Sequence, residues 1–310
     1  MEAASGVELA EFLQHLFLGL VQGSFYVLLA LGLSIIFGLM GIINFGHGVF
    51  YMLGSYVGYT IISLVVAPIL GENVAFIFAL AAVPAIMFGI GMFFEKIIIS
   101  QIYNTENERF RGVLITFGLS IFLPDFVRII WGRPGKSFNI PPMFQWSILE
   151  IGSLNVSAYR TFVVFVAAIL VAMIWFLLFR TNLGMVIRAG TSNNIMVQVL
   201  GINVSKVWRQ TFGLGIALAG FAGVMISPLF AVDPTMGDDI LIQTFIVVVV
   251  GGMGSFIGPV IGGLIIGQLW ALTPLIGRTT FVINNLSGTM IGPEFWEKAS
   301  DILFFVLMSV

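Results

Sequence analysis

The chain has 310 residues, of which 59% are hydrophobic and only 9% charged, with a formal net charge of −2 at pH 7. A water-facing surface needs far more charge than that, so a soluble globular fold is excluded and the chain is placed in a bilayer. No long basic run offers itself to nucleic acid or to an anionic surface, and the absence of cysteine excludes disulfides, thiolate metal sites and cysteine catalysis.

In chain order, residues 1–11 carry Glu2, Glu8 and Glu11 and no Lys or Arg, unlike the basic start of a cleavable leader, so the first apolar segment is expected to be retained. A spanning helix needs about 20 largely apolar residues. That length is met at 12–40, 45–67, 74–95, 112–131, 159–179 and 207–230. The pattern then changes. Residues 240–276 are apolar but broken by Gly251, Gly252, Gly254 and Ser255, and a partial segment, 299–310, is still apolar at Val310. That last run is too short to span, so more chain is expected after it. The fold class that results is an all-α polytopic membrane protein. It forms one transmembrane domain over 1–310, with about eight transmembrane helices and broken or re-entrant segments near 44–48 and 251–256.

Three polar connections separate the spans. Residues 95–111 hold Glu95, Lys96, Arg109 and Arg111, and residues 180–209 hold Arg180, Arg188, Lys206 and Arg209; alternation puts both on one side. Residues 133–160 fall on the other, where the alternating FQWSILEIGSLNV predicts a small hairpin. The first two connections take 7 of the 13 basic residues, too even a split to orient the chain by charge.

The two broken regions carry the functional argument. Backbone without partners cannot face lipid, so an interruption such as Asn44, Gly46, His47, Gly48 must be buried in protein or line a cavity. Asn44 and Ser255 occupy matching places: each follows an apolar run, sits among glycines, precedes a new helix and is a good N-cap residue. Two helix N-termini would then point into the protein with unpaired N–H groups and partial positive charge. Paired interruptions of this kind mark a transport pathway. The candidates for that pathway are Asn44, Gly46, His47, Gly48, Thr116, Gly251, Gly252, Gly254 and Ser255. The competing reading of any single glycine is close helix packing, which Gly19/Gly23, Gly54/Gly58 and Gly254/Gly258/Gly262 also suit.

His47 has no second His, Cys, Asp or Glu near it in sequence, so it is read as a hydrogen-bonding brace for the broken turn rather than a metal ligand. Asp125 and Arg128 are expected to neutralise each other as an i, i+3 pair. The spans hold no other mid-membrane acid, which argues against a proton-driven carrier. Gly132 to Ser137, GRPGKS, is close to a phosphate-binding loop, but Ile130 fills the first glycine position and no strand–loop–helix context surrounds it. No catalytic, metal or nucleotide site is expected in the chain.

Residues 181–206 form a separate polar segment, and within it 188–203 are too polar to span and too apolar for a plain loop. Ser192 is expected to cap a short helix from Asn193 to Leu200, with Gly201 at the left-handed stop. Ile195, Met196, Val199 and Leu200 share one face of that helix, which needs a groove in another protein, the underside of its own domain or the headgroup layer.

The run from Gly23 to Tyr56, the LGINV segment (Leu200 to Val204) and VVGGMGSFIGPVIGGLIIG (Val249 to Gly267), in that order, resemble the LivH-type permease of bacterial branched-chain amino acid ABC importers. The similarity runs from about residue 12 to 310. It implies an all-helical, multi-pass subunit of the inner membrane, with a periplasmic N-terminus and no cofactor of its own. The partners implied are a second, LivM-type permease, two ATPase subunits that use ATP and Mg, and a periplasmic amino-acid-binding protein, with membrane lipid around them. The resemblance makes Arg188 to Asn203 the ATPase-coupling segment, with Arg188, Ser192, Ile195, Met196, Val199, Leu200 and Gly201 as its candidate residues. Val49 stands where such permeases often have Glu, and Ser192 and Asn193 replace acidic residues. Sibling permeases for urea, short amides or aromatic acids share these blocks, and the remaining competitors are a stand-alone secondary transporter or channel and an intramembrane hydrolase, for which Ser34 lies 13 residues before His47 but no GxSG-like motif is present.

Overall fold

The structure, a computed structural model, describes residues 2–287 apart from 104, 153 and 193, without the side chains of 2–8, 194, 195 and 274–287. Helix α1 (Glu2–Met40) is followed by α2 (His47–Tyr59), which continues through a π-helical stretch (Thr60–Val66) into α3 (Ala67–Leu70). The π turn ends just before Pro68, whose missing N–H breaks the ordinary helical ladder. Then come α4 (Glu72–Ile97), α5 (Glu108–Trp131), a hairpin of β1 (Ser147–Ile151) and β2 (Leu154–Ser157), and α6 (Ala158–Arg180). The short α7 (Asn182–Ser192) and α8 (Asn194–Val199) lead into α9 (Val204–Ile226), α10 (Met236–Gly251) and α11 (Ile257–Ser287).

Among the described residues, six helices are long and apolar enough to cross a membrane. The chain is a multi-pass all-α membrane protein, as the composition requires, and the described residues do not confirm a count of eight. Helix α10, at 16 residues, is too short to cross, and the expected segment 299–310 lies outside the described residues.

Helices α1 and α9 form the centre. Their spans are 89% and 83% buried, against 22–33% for the other four, so an all-round apolar sequence is buried by protein in these two and is largely exposed in the rest. They cross at Gly32 and Gly215, where a Cβ on either residue would meet the other's carbonyl oxygen. Helices α2 and α4 pack on α9, and α10 and α11 pack on α1.

Direction along the bundle is fixed by contacts at its ends. The Asn155 N–H donates to the Gln14 side chain at 2.8 Å, and the Tyr159 hydroxyl to the Met225 carbonyl at 2.6 Å, so α1 starts and α9 finishes at the hairpin end. Leu39 lies against Gly190 of α7, so α1 finishes at the short-helix end. The units α1–α2–α4 and α9–α10–α11 are therefore related patterns in opposite orientation: a buried helix, a break, a helix that starts within the bundle and a returning helix, the third helix being long in the first unit, where α2 runs on to Leu70, and short in the second. Inverted repeats of this kind are a common way to build a transporter.

The predicted hairpin is present, with β1 and β2 antiparallel and a bulge between Ser147 and Leu149. The GRPGKS loop has a structural use. Both backbone groups of Lys136 pair with Val232 at 2.7 Å, anchoring the segment between α9 and α10.

Candidate functional site

The first break begins at Gly41, whose φ of +65° turns the chain out of α1 without steric cost. The six residues 41–46 then double back, because the His47 Nε2 donates to the Leu29 carbonyl at 3.0 Å, eleven positions before the end of α1. Eleven helical residues rise about 16 Å. Six residues, whose limit is about 20 Å, return over that depth with help from the reach of the His47 side chain, and their last part is a turn in which the His47 N–H donates to the Asn44 carbonyl at 3.2 Å. A non-helical segment inside a membrane protein needs its backbone satisfied, and Thr116 of α5 does part of this. Its hydroxyl accepts from the Phe45 N–H at 3.2 Å and lies 3.2 Å from the Ile43 carbonyl and 2.9 Å from that of Gly112.

Asn44 does not cap α2. The N-cap is Gly46, and the Asn44 Oδ1 instead accepts from the Gly46 N–H at 3.0 Å, a local turn that precedes the helix. Asn44, His47 and Thr116 are all buried within the subunit, and Asn44 Nδ2 and His47 Nδ1 have no partner among the described residues. Their neighbours Ile43 and Phe45 line an apolar cavity of about 330 Å³ between α1 and α10.

The expected equivalence of Asn44 with Ser255 is corrected by the packing. The half-helix that meets α2 is α10: Gly48 and Gly237 are so close that a Cβ on either would collide with the other's backbone. Both helices thus begin at about the level of the Gly32–Gly215 crossing. The true counterpart of 41–46 is 227–235, which returns from the end of α9 over a similar depth, eleven positions separating Gly215 from Ile226. Asp233 shapes the last part of it, its Oδ1 accepting from the Thr235 N–H at 2.7 Å and the Thr235 hydroxyl at 2.6 Å. Asp238 and Asp239, in the first turn of α10, are thereby carried to Gly48, although their polarity reads as an external loop.

The 252–256 segment is a real break, placed elsewhere. The Ser34 hydroxyl of α1 donates to the Ser255 carbonyl at 2.8 Å and accepts from the Gly254 N–H at 3.2 Å. Ser255 Oγ accepts from the Gly258 N–H at 3.1 Å, in the capping manner expected of it. Gly252 and Gly254 have positive φ, and Gly251 packs on Gly258.

At the short-helix end, Gly201 takes the expected left-handed conformation after α8, with φ of +79°. Ser192 is not a cap: it is the last residue of α7, and its hydroxyl donates to the Arg188 carbonyl at 3.3 Å. Met196, Val199 and Leu200 are exposed together, and the side chain of Ile195 lies outside the described residues. The Arg188 guanidinium sits 4.9 Å over the Phe179 ring. A small cavity, about 150 Å³, joins Arg188 and Thr191 of α7 to Ser34 and Ser255, so the two groups of candidate residues share a wall.

Sequence reasoning missed a buried ion pair that ties α9 to α4. Glu95 is fully buried, its Oε2 accepting from the Arg209 Nε at 2.9 Å and its Oε1 from the Tyr103 hydroxyl at 2.8 Å. Burial, then the adjacent Glu95 carboxylate, pushes the Tyr103 phenol well above its usual range. The Tyr103 ring packs edge-on to Trp208, centroids 4.1 Å apart. Glu95 and Arg209 lie 114 residues apart, a pairing that no local pattern signals. Among the described residues no group of three or more His, Cys, Asp or Glu could hold a metal ion.

Residues 15–310 match the family described as the permease component of the branched-chain amino acid transport system. The chain is 32% identical over 307 residues to the high-affinity branched-chain amino acid transport system permease protein LivH of Escherichia coli K12, covering 96% of this chain and 93% of that protein. It is also 32% identical to BraD of Pseudomonas aeruginosa, a protein of the same description, over 84% and 85% of the two chains. A shorter stretch of 113 residues is 34% identical to the ribose import permease protein RbsC of Haemophilus influenzae, covering 34% of this chain and 35% of that one. No solved structure matches the chain.

Proposed function

The chain belongs to the family of permease components of branched-chain amino acid transport systems, and from that premise we propose that it is the membrane subunit of an ATP-driven importer for branched-chain or other hydrophobic amino acids. The observation that carries the reading is the meeting of two helix N-termini, at Gly48 and Gly237, deep inside a pair of inversely oriented units. Such a contact gives the molecule two related halves that tilt against each other, exposing the pathway to one side and then the other.

The remaining parts follow from that role. The chain itself carries out no chemistry and holds no cofactor; ATP and Mg belong to two partner ATPase subunits. A second permease of the LivM type completes the membrane part, and a periplasmic binding protein delivers the solute. The chain sits in the inner membrane with its N-terminus and hairpin periplasmic and α7 and α8 cytoplasmic, where the exposed Met196, Val199 and Leu200 dock on an ATPase. Closure of the ATPases then pushes on α7, whose Arg188 and Thr191 adjoin the Ser34–Ser255 contact between α1 and the 252–256 turn. In this reading the pathway candidates Asn44, Gly46, His47, Gly48 and Thr116 shape the break from within.

ATP hydrolysis by the reconstituted complex tests the reading. Leucine-loaded binding protein is expected to stimulate it and to drive leucine into vesicles. Stimulation by urea or an aromatic acid in place of leucine would reassign the solute, and uptake by the chain without ATPases would remove the ABC role.

A further inference from the structure

The exposed face of α10 runs from Asp238 through Ile242 and Phe245 to Val249, positions that share one side of a helix. The acidic head of this face lies beside Gly48, at mid-depth in a bundle of spanning helices. Below it the same face forms one wall of the apolar cavity of about 330 Å³, opposite Leu33, Phe37, Ile43 and Phe45. An ionised acid facing hydrocarbon costs about 3 kcal/mol on insertion scales, so a face headed by two of them turns toward water or protein rather than lipid. The cavity is at the small end of ligand sites, which run from about 300 to 1,000 Å³, and its wall is wholly apolar.

Resting on the amino acid importer reading above, we propose that this cavity receives the apolar side chain of the transported solute while Asp238 and Asp239 attract its ammonium group. The occupant has a cationic head and an aliphatic or small aromatic tail, which is the order of charge and apolarity that α10 presents. Phe45 and Phe245, whose rings touch with centroids 5.1 Å apart, close the space where the two walls meet and so limit the size of tail admitted.

The cysteine-free chain suits a direct test. Phe245→Cys is introduced into the full complex in proteoliposomes, with Ile169→Cys on the exposed face of α6 as the lipid-facing control. A cationic, water-soluble methanethiosulfonate is expected to modify the cysteine at 245 at least about tenfold faster than that at 169, the acids concentrating the reagent. Leucine delivered by its binding protein should slow that modification several-fold, and Asp238→Asn with Asp239→Asn should erase the advantage of the cationic over a neutral reagent. Modification only by a membrane-permeant maleimide would make this a lipid face, and no modification by either reagent would make it a covered subunit interface. Either result, or labelling indifferent to leucine, overturns the proposal. Leucine uptake is scored in the same vesicles: its absence in wild type overturns the importer reading itself, whereas uptake with position 245 unreactive overturns the cavity assignment alone.

Discussion

Thr116 is the residue on which the broken segment 41–46 depends most directly. It supplies the acceptor for the part-buried Phe45 N–H, a backbone group outside any helix. Thr116→Val leaves that donor unsatisfied, a cost of about 1–3 kcal/mol. The melting temperature of the purified protein is expected to fall by several degrees, with Thr116→Ser close to wild type; an unchanged value for the valine variant would show that the segment is held by other means. His47 was legible as a brace because a lone histidine among apolar residues has no partner set for other chemistry, and its bond to Leu29 matches that reading. The capping role expected of Asn44 was not legible correctly. Asn followed by Gly reads equally well as a cap or as a local turn, and only the position of the helix start separates the two.

Elements show the same division between what length reveals and what contacts reveal. The long spans were visible because a run of about 20 apolar residues has few alternatives. The start of α10 was not, because Asp233, Asp238 and Asp239 read as an outside loop, and the contact that draws them inward is made by two glycines far apart in sequence. The short α8 makes a sharp prediction: Met196→Asp or Leu200→Asp places a charge on its exposed apolar face and is expected to abolish co-purification of the ATPases while the permease pair still assembles. Retained ATPase would remove α8 from the interface. The α4–α9 pair predicts a stability effect. Arg209→Leu strands the buried Glu95 carboxylate, and because Arg209 is one-third exposed the loss is expected near 2 kcal/mol, below the 3–5 of a fully buried pair. Adding Glu95→Gln should recover most of it in thermal denaturation, and no recovery would assign the loss to packing of the arginine stem instead.

For the whole molecule, orientation is the first thing to establish, since the basic residues divide too evenly to decide it. The hairpin and α7 lie at opposite ends of the bundle. A membrane-impermeant maleimide applied to spheroplasts is therefore expected to label Glu150→Cys at once and Thr191→Cys only after permeabilisation; the reverse order would invert the importer reading. The inverted repeat itself left only a faint trace in the sequence, because its two breaks differ in length and composition and agree only in what they do to the chain. Its pivot has a consequence for leakage. If the halves tilt as proposed, two blunt ends resting nose to nose on bare backbone would be floor for the compartment above and ceiling for the one below, so that the same few atoms would guard both mouths.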